Sequence, residues 1–256
     1  MTMIELWHEW NSVQSFKVRV VLAEKGLLWT EHRIELLKFE HLQPDYLALN
    51  PNGVVPTLVH DGRTVCESSV ICQYLNDVSP RPSLMPSDPF ARAKARIWLK
   101  YFDDVGHPAL RQASFELLYR PFLARMPREE LEKRLACHPN PARAERFRAA
   151  AVGKADLAVV EEAAVSIRAI LARMDGELRR NAWLGGARYS LADVAMSPLV
   201  ERLDHLGWMD LLKPYSEARR WSAAVLARPA VRSSRPPDNF RLPVGLQFSP
   251  SALNTL

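Results

Sequence analysis

Three consecutive stretches most constrain what this chain can fold into: Val54-Val55-Pro56-Thr57-Leu58-Val59-His60, then Asp61-Gly62, then Arg63-Thr64-Val65-Cys66. Two apolar runs joined by Asp-Gly are the strongest short-range signal of a β-hairpin. The residues around the hairpin extend it into a mixed α/β unit. Ile4-Glu5-Leu6-Trp7-His8 alternates and is short, which predicts a strand. After the polar break Asn11-Ser12, residues 16–26 have helical spacing and stop at Gly26, a usual C-terminal signal. Residues 30–35 read as a second strand, and Pro44 to Leu49 as a short helix ending before Pro51. Glu67-Ser68-Ser69 then precedes an amphipathic helical pattern over 70–75. The order is β-α-β-α-β-β-α.

Beyond this unit the pattern changes. Pro80, Pro82, Pro86 and Pro89 give residues 80–89 a linker composition. From Pro89 onward almost no strand pattern remains. Helices are predicted over 91–104, over 109–123 with a break near Pro121, and over 128–136, 154–180, 190–206 and 216–226. Pro229, Pro236, Pro237, Pro243 and Pro250 mark an irregular or extended tail. The expected division is an α/β unit at 1–79, a linker at 80–89, an all-helical unit at 90–232 and a tail at 233–256.

Composition narrows the function classes. With 256 residues, 48% apolar and 25% charged, the chain suits one large globular domain or two modest ones. The net charge is +5, but Lys and Arg are interspersed with Asp and Glu, as where Arg143, Arg146 and Arg148 surround Glu145. That pattern reads as solvated helix faces, with a general preference for anionic small molecules as the alternative, and not as a nucleic-acid surface. No apolar run reaches the roughly 18 residues that span a bilayer, and Met1-Thr2-Met3-Ile4-Glu5 does not read as a signal peptide. Cys66, Cys72 and Cys137 are sparse and odd in number, and match no zinc or Cys-x-x-Cys spacing. The expectation is a cytoplasmic protein without metal or membrane partner.

Three loops carry the candidate chemistry. A cis Val55-Pro56 bond at the strand start would turn the Val55 backbone outward, free to pair with an extended peptide ligand; an ordinary trans-proline at an edge fits equally well. Glu67-Ser68-Ser69 at a helix start can hold an amino-acid head group, the carboxylate of Glu67 taking the ammonium and Ser68 with backbone N–H groups taking the carboxylate; simple capping is the competing reading. In Asn11-Ser12-Val13-Gln14-Ser15, a hydroxyl near a helix N-terminus can donate to a thiolate and lower its pKa, or merely cap the helix.

In this order, the segments Asn50-Pro51-Asn52-Gly53-Val54-Val55-Pro56-Thr57-Leu58 and Glu67-Ser68-Ser69-Val70-Ile71-Cys72-Gln73-Tyr74-Leu75 resemble the N-terminal domain of cytosolic glutathione transferases. Trp183-Leu184-Gly185-Gly186-Ala187-Arg188-Tyr189-Ser190-Leu191-Ala192-Asp193 resembles the family's helix-start motif in the second domain, with Ser190 and Asp193 forming a capping box. The resemblance implies a thioredoxin-like domain with a mixed four-stranded sheet, followed by an all-α helical bundle. It implies glutathione as cosubstrate, a homodimer, and these roles. Val55 and Pro56 would present backbone to the cysteinyl unit. Glu67 and Ser68 would bind the γ-glutamyl end, and His41, with Lys38 nearby, the glycyl carboxylate. Ser12 would stand where serine-type classes place the thiolate-activating hydroxyl, with Ser15 and Asn11 as further candidates. Asp103 or Asp104 would reach the partner's glutathione.

A closer resemblance, to the bacterial β-etherases, rests on Lys38-Phe39-Glu40-His41, His60-Asp61-Gly62, Glu67-Ser68-Ser69-Val70-Ile71-Cys72, Ser87-Asp88-Pro89-Phe90-Ala91-Arg92-Ala93 and a basic stretch at 126–147. The sequence departs from that group at Trp10-Asn11-Ser12-Val13, where those enzymes carry a Gly/Ala-rich loop. The resemblance implies thiolate attack on a hydrophobic, aromatic electrophile, extending to β-aryl ether cleavage in lignin fragments. Trp10, His107, Phe115 and Tyr119 are the candidates for the electrophile's wall, each also readable as plain core. A non-catalytic member that binds glutathione, hydrophobic ligands or protein partners is the alternative.

Overall fold

The computed structural model describes residues 3–250. The last six positions of the predicted tail, and Met1-Thr2 of the N-terminal reading, lie outside the described residues. The chain begins with strand β1 (Ile4–His8), helix α1 (Val13–Glu24) and strand β2 (Thr30–Arg33). After α2 (Pro44–Leu49) come β3 (Thr57–His60), β4 (Arg63–Val65) and α3 (Ser68–Val78). The sheet order is β2-β1-β3-β4, with β1 parallel to β2 and antiparallel to β3. The predicted hairpin is present. Asp61 and Gly62 both take positive φ, 49° and 76°, as a type I′ turn requires. Alternation on β1 sends Ile4, Leu6 and His8 to the buried face, where α1 and α3 cover the sheet.

The helical part contains α4 (Pro89–Tyr101), α5 (His107–Ser114), α6 (Arg120–Leu123), α7 (Arg128–Leu135), α8 (Pro141–Ala151), α9 (Leu157–Leu178), α10 (Leu191–Leu206), α11 (Ser216–Leu226) and α12 (Pro229–Ser233). Four features correct the sequence expectation. First, α4, α5 and α6 follow one another without interruption, joined by π-helical turns at Phe102–Gly106 and Phe115–Tyr119. Each wide turn precedes a proline, Pro108 or Pro121, whose ring would clash with the fourth carbonyl back and whose N–H is missing. Second, the basic stretch holds a further helix, α8, capped by the Asn140 side chain at the Arg143 N–H. Third, the long helix is α9, starting at its Asp156 cap rather than at Lys154. Fourth, Pro229 starts the short α12 instead of irregular tail, as its fixed φ suits a first helical turn.

One hydrophobic core runs through both parts, from Leu6, Val20 and Ile71 to Leu99, Ile167 and Leu199. α10 is buried nearly all round and packs directly on α1. Its start is the predicted capping box. Asp193 accepts the Ser190 N–H at 2.9 Å and also holds the Trp221 indole N–H at 2.8 Å. Lys25 Nζ donates to Asn76 Oδ1, Ser79 O and Pro82 O, tying the end of α1 to α3 and the linker. Arg228, at the start of α12, forks Glu24 of α1 at 2.6 and 2.8 Å, fixing the α/β unit to the helices. A second, smaller core joins Phe39 and Leu42 to Leu123, Leu131, Leu135 and Ala144, so the α6–α8 segment closes over the loop before α2.

The described tail after Ser234 lies back on the body. Gly245 N–H donates to Leu117 O at 3.0 Å. That carbonyl sits four residues before Pro121, so the tail supplies the donor that the proline lacks. His205 Nε2 and the Trp208 indole N–H bond the Leu242 and Phe248 carbonyls, each at 2.8 Å.

Candidate active site

The α1 N-terminus is built by the loop that leaves β1. Ser12 is the N-cap, in an extended conformation, and its Oγ accepts the Ser15 N–H at 3.2 Å. Ser12 is partly exposed and faces a cavity of about 940 Å³ between the sheet edge and the helices. The hydroxyl proton is not consumed by capping, because capping uses only an oxygen lone pair. Ser15, by contrast, is fully buried and does not line the cavity; its Oγ has no partner among the described residues. Asn11 borders the cavity, but its side-chain amide is committed. It donates to Glu9 Oε1 and Phe240 O and accepts from Leu242 N–H.

Two backbone features stand across from Ser12. The Val55-Pro56 bond is cis, and Val55 lies before the paired register of β3, which begins at Thr57. Tyr46 and Asn50 hold the turn by donating to Val54 O at 2.6 and 2.9 Å. Glu67 takes φ 67° ahead of α3, a conformation uncommon for a non-glycine residue and typical of functional loops. Glu67 is exposed and its carboxylate holds no ion pair among the described residues. Ser68 donates to Gln14 Oε1 at 2.9 Å, and Gln14 Nε2 donates to Asp103 Oδ1 at 3.3 Å. Asp103 also takes the buried Lys17 ammonium at 2.7 Å, which in turn donates to Ser69. One network therefore links α1, the start of α3 and the first π-turn. Despite burial, Lys17 holds the Asp103 carboxyl below its usual range.

The far wall comes from α5 and the turn after it. His107, Phe115 and Tyr119 line the cavity, as does His41 from the loop before α2. Burial depresses both histidines to about 4, with neighbouring cations adding to the effect, so each is neutral near pH 7. His41 can therefore offer a hydrogen bond but no full charge to a carboxylate. Burial pushes the Tyr119 hydroxyl up to about 12.

Three expected residues stand elsewhere. Trp10 lies outside the cavity lining; it stacks near-parallel on Phe240, with centroids 6.5 Å apart, and the Arg19 guanidinium lies 4.5 Å from its ring. The fold-back of the tail, invisible to local pattern, covers it. Lys38 is exposed, pairs with Glu35 at 2.9 Å, and points away from the lining; its carbonyl is bound by Arg134. Ser15 sits inside α1 and is fully buried, whereas Ser12, the extended cap residue ahead of the helix, stays at the opening.

Sequence reading overlooked Gln14, Phe147 and Arg202. Phe147, on α8, touches the rings of Phe39 and Phe115, with centroids 5.1 and 5.7 Å away, and bridges the two walls. Arg202 reaches from α10 to Asn11 O at 2.6 Å and Ser114 Oγ at 2.7 Å. Its signal was the charged pair Glu201-Arg202 inside an apolar helix. Gln14 gave no signal, since a glutamine in the first helical turn is ordinary.

Comparison with known proteins places this architecture. Residues 11–78 match the family model for the glutathione S-transferase N-terminal domain, and residues 158–224 that for the glutathione S-transferase C-terminal domain. The chain is 29% identical to Protein LigF of Sphingobium sp. (strain NBRC 103272 / SYK-6), covering 90% of this chain and 91% of that protein. It is 31% identical to Glutathione S-transferase 3 of Zea mays, covering 85% and 86%. It is 28% identical to FtsZ-localized protein A of Caulobacter vibrioides, covering 85% and 84%. The crystal structure of the β-etherase LigF superposes with a TM-score of 0.82 at 29% identity, covering 91% of this chain and 98% of that one. The chain belongs to the glutathione S-transferase family.

Proposed function

We propose that this protein is a glutathione transferase in which the Ser12 hydroxyl stabilises the glutathione thiolate for attack on an aromatic electrophile. Glutathione is the cosubstrate. Its γ-glutamyl end fits at Glu67 and Ser68, its cysteinyl backbone at the unpaired main chain of Val55, and its glycyl carboxylate beside His41. The observation that carries the reading is the free Ser12 proton at the cavity wall, with Ser15 buried and the Asn11 amide occupied. A thiol of ordinary pKa needs only a few kcal/mol of bias toward thiolate. A hydroxyl donating to a charged sulfur supplies about 1.5–3 kcal/mol, and the α1 N-terminus adds to it. The thiolate forms the C–S bond as the leaving group departs with its electron pair. For a β-aryl ether that leaving group is a phenoxide, which takes its proton from water. The likeness to LigF supports this ether chemistry on lignin-type fragments.

The protein is proposed to act as a cytoplasmic homodimer. Exposed apolar side chains on α3 and α4, Val70, Phe90 and Ile97, support an association surface there. Cys66, Cys72 and Cys137 are all free thiols, which fits a reducing compartment. Among the described residues no helix is long and apolar enough to cross a membrane.

The similarity to FtsZ-localized protein A favours a second reading, a member that binds glutathione or a protein partner without turnover. Retention on immobilised glutathione, followed by assays with a chromogenic aryl halide and a β-aryl ether, separates the two. Retention without turnover of either electrophile would establish the second reading. For the first, Ser12→Ala is expected to lower kcat/KM by about 10- to 100-fold and to raise the pKa of bound glutathione, read from thiolate absorbance. An unshifted thiol pKa would remove Ser12 from the role.

A further inference from the structure

The same cavity holds an unneutralised basic cluster. His107, Arg111 and Phe115 follow at four-residue spacing along α5 and the turn after it, so an arginine stands between the two residues expected to face the electrophile. Arg143 and Arg146 join it from α8. None of these three guanidinium groups forms an ion pair or side-chain hydrogen bond with another described residue. The nearby Arg120, Arg134 and Arg148 all hold carboxylates, those of Glu116, Glu130 and Glu132. Burial and the proximity of Arg146 and Arg143 pull Arg111 below its usual range, and no acidic group offsets them. A solvated surface accounts for Arg146, which is exposed, but not for the half-buried Arg111. Like charges gathered in a partly dry cavity repel, and planar guanidinium forks match an oxyanion bidentately.

We propose that Arg111, Arg143 and Arg146 form a subsite for an oxyanion carried by the second substrate, so that the preferred electrophile is an aromatic acid and not a neutral hydrophobe. The inference rests on the transferase reading of the cavity and names its substrate class. The glycyl carboxylate of glutathione is the other possible source of such an anion. It is expected beside His41, whose charged surroundings are His138 and Arg143. Arg111 lies instead among the surroundings of His107, on the electrophile's wall, and Arg143 neighbours both histidines, so Arg111 is the arginine that separates the two anions.

The test uses a chloronitrobenzoate and its methyl ester, two aryl halides in which the thiolate forms the C–S bond and chloride leaves with the electron pair. The reading is the ratio of kcat/KM for acid over ester. Arg111→Gln is expected to lower that ratio about 10- to 100-fold, and Arg111→Lys to restore part of it. Arg232→Gln, which removes an exposed charge on α12 that does not line the cavity, controls for net charge and should leave the ratio alone. An unmoved ratio in Arg111→Gln overturns the proposal. So does a rise in the glutathione KM that is equal with both electrophiles, which would assign the arginines to the glycyl carboxylate. If the protein turns over neither electrophile, the transferase reading fails separately. Calorimetric binding of unreactive nitrobenzoate to the unmodified protein and to Arg111→Gln still reads the subsite. A loss of about 10-fold in affinity supports the subsite, and equal affinity overturns it.

Discussion

The side-chain carbonyl of Asn11 accepts the backbone N–H of Leu242 at 3.0 Å, across 231 positions of sequence. The same amide donates to Phe240 O, and Arg202 donates from α10 to the backbone carbonyl of Asn11. The residue preceding the candidate thiolate-activating serine is thereby fixed by the tail and by the central buried helix together. Asn11→Ala would leave partly buried main-chain groups of the tail, Phe240 O and Leu242 N–H, without this partner. It is expected to cost about 2–3 kcal/mol of stability by denaturant titration, and to lower kcat more than it raises the glutathione KM. Gly245→Ala should act through the same tail, because a Cβ there collides with the rigid Pro121 ring. Wild-type kinetics in both variants would show that the tail does not position the loop.

Ser15 makes the opposite prediction from its neighbour at the cap. Its hydroxyl is fully buried without a partner among the described residues, so replacing it removes an uncompensated polar group. Ser15→Ala should keep activity within about 2-fold and leave stability unchanged or raised by up to about 1 kcal/mol. A large loss of turnover, comparable to that of Ser12→Ala, would mean that Ser15 contributes to catalysis.

The Lys17–Asp103 pair joins α1 to the first π-turn beside the proposed γ-glutamyl site at Glu67 and Ser68. Lys17 is 1% exposed, whereas Asp103 is about one-third exposed, so solvent moderates the pair. Asp103→Asn strands the buried ammonium and loosens Gln14 and, through it, Ser68. The expected result is a loss of about 1–3 kcal/mol in stability and a raised glutathione KM. A KM within experimental error of wild type would separate the pair from substrate binding.

Acid should destabilise the fold through buried histidines. His8 is fully buried, and burial with the Arg19 guanidinium at its Nδ1 lowers its pKa from 6.5 to about 3. In the unfolded chain His8 takes up its proton near pH 6.5, while the folded chain resists until about pH 3. Between these values the unfolded state binds more protons, so stability falls as pH falls. For this one group the loss from pH 7.5 to 5.5 is about 1.4 kcal/mol. His41, His107 and His205 are lowered to about 4 and act with the same sign. In His8→Gln the pH slope of the unfolding free energy should flatten by His8's share; an identical slope would refute its part.

The local code of this chain is legible in its sequence because it is written in short-range physics. Asp61-Gly62 sets the turn, Ser190 with Asp193 caps α10, and alternation on β1 selects the buried face. The element order and the positions of Ser12, Val55 and Glu67 at loop ends follow from such signals. Tertiary structure decided what those signals cannot carry. Trp10 reads as a pocket residue until Phe240 folds back over it, and Ser15 reads like Ser12 until the packing around α1 buries it. The proline at 121 reads as a helix break, yet a π-turn and the N–H of Gly245 supply what it removes. Arg143 and Arg146 read as solvated faces until α8 brings them to the cavity that Arg111 of α5 also lines. Caps, turns and periodicity are satisfied within a few residues, whereas the pairing of buried charges and the burial of a tail depend on partners that only the completed packing brings within reach.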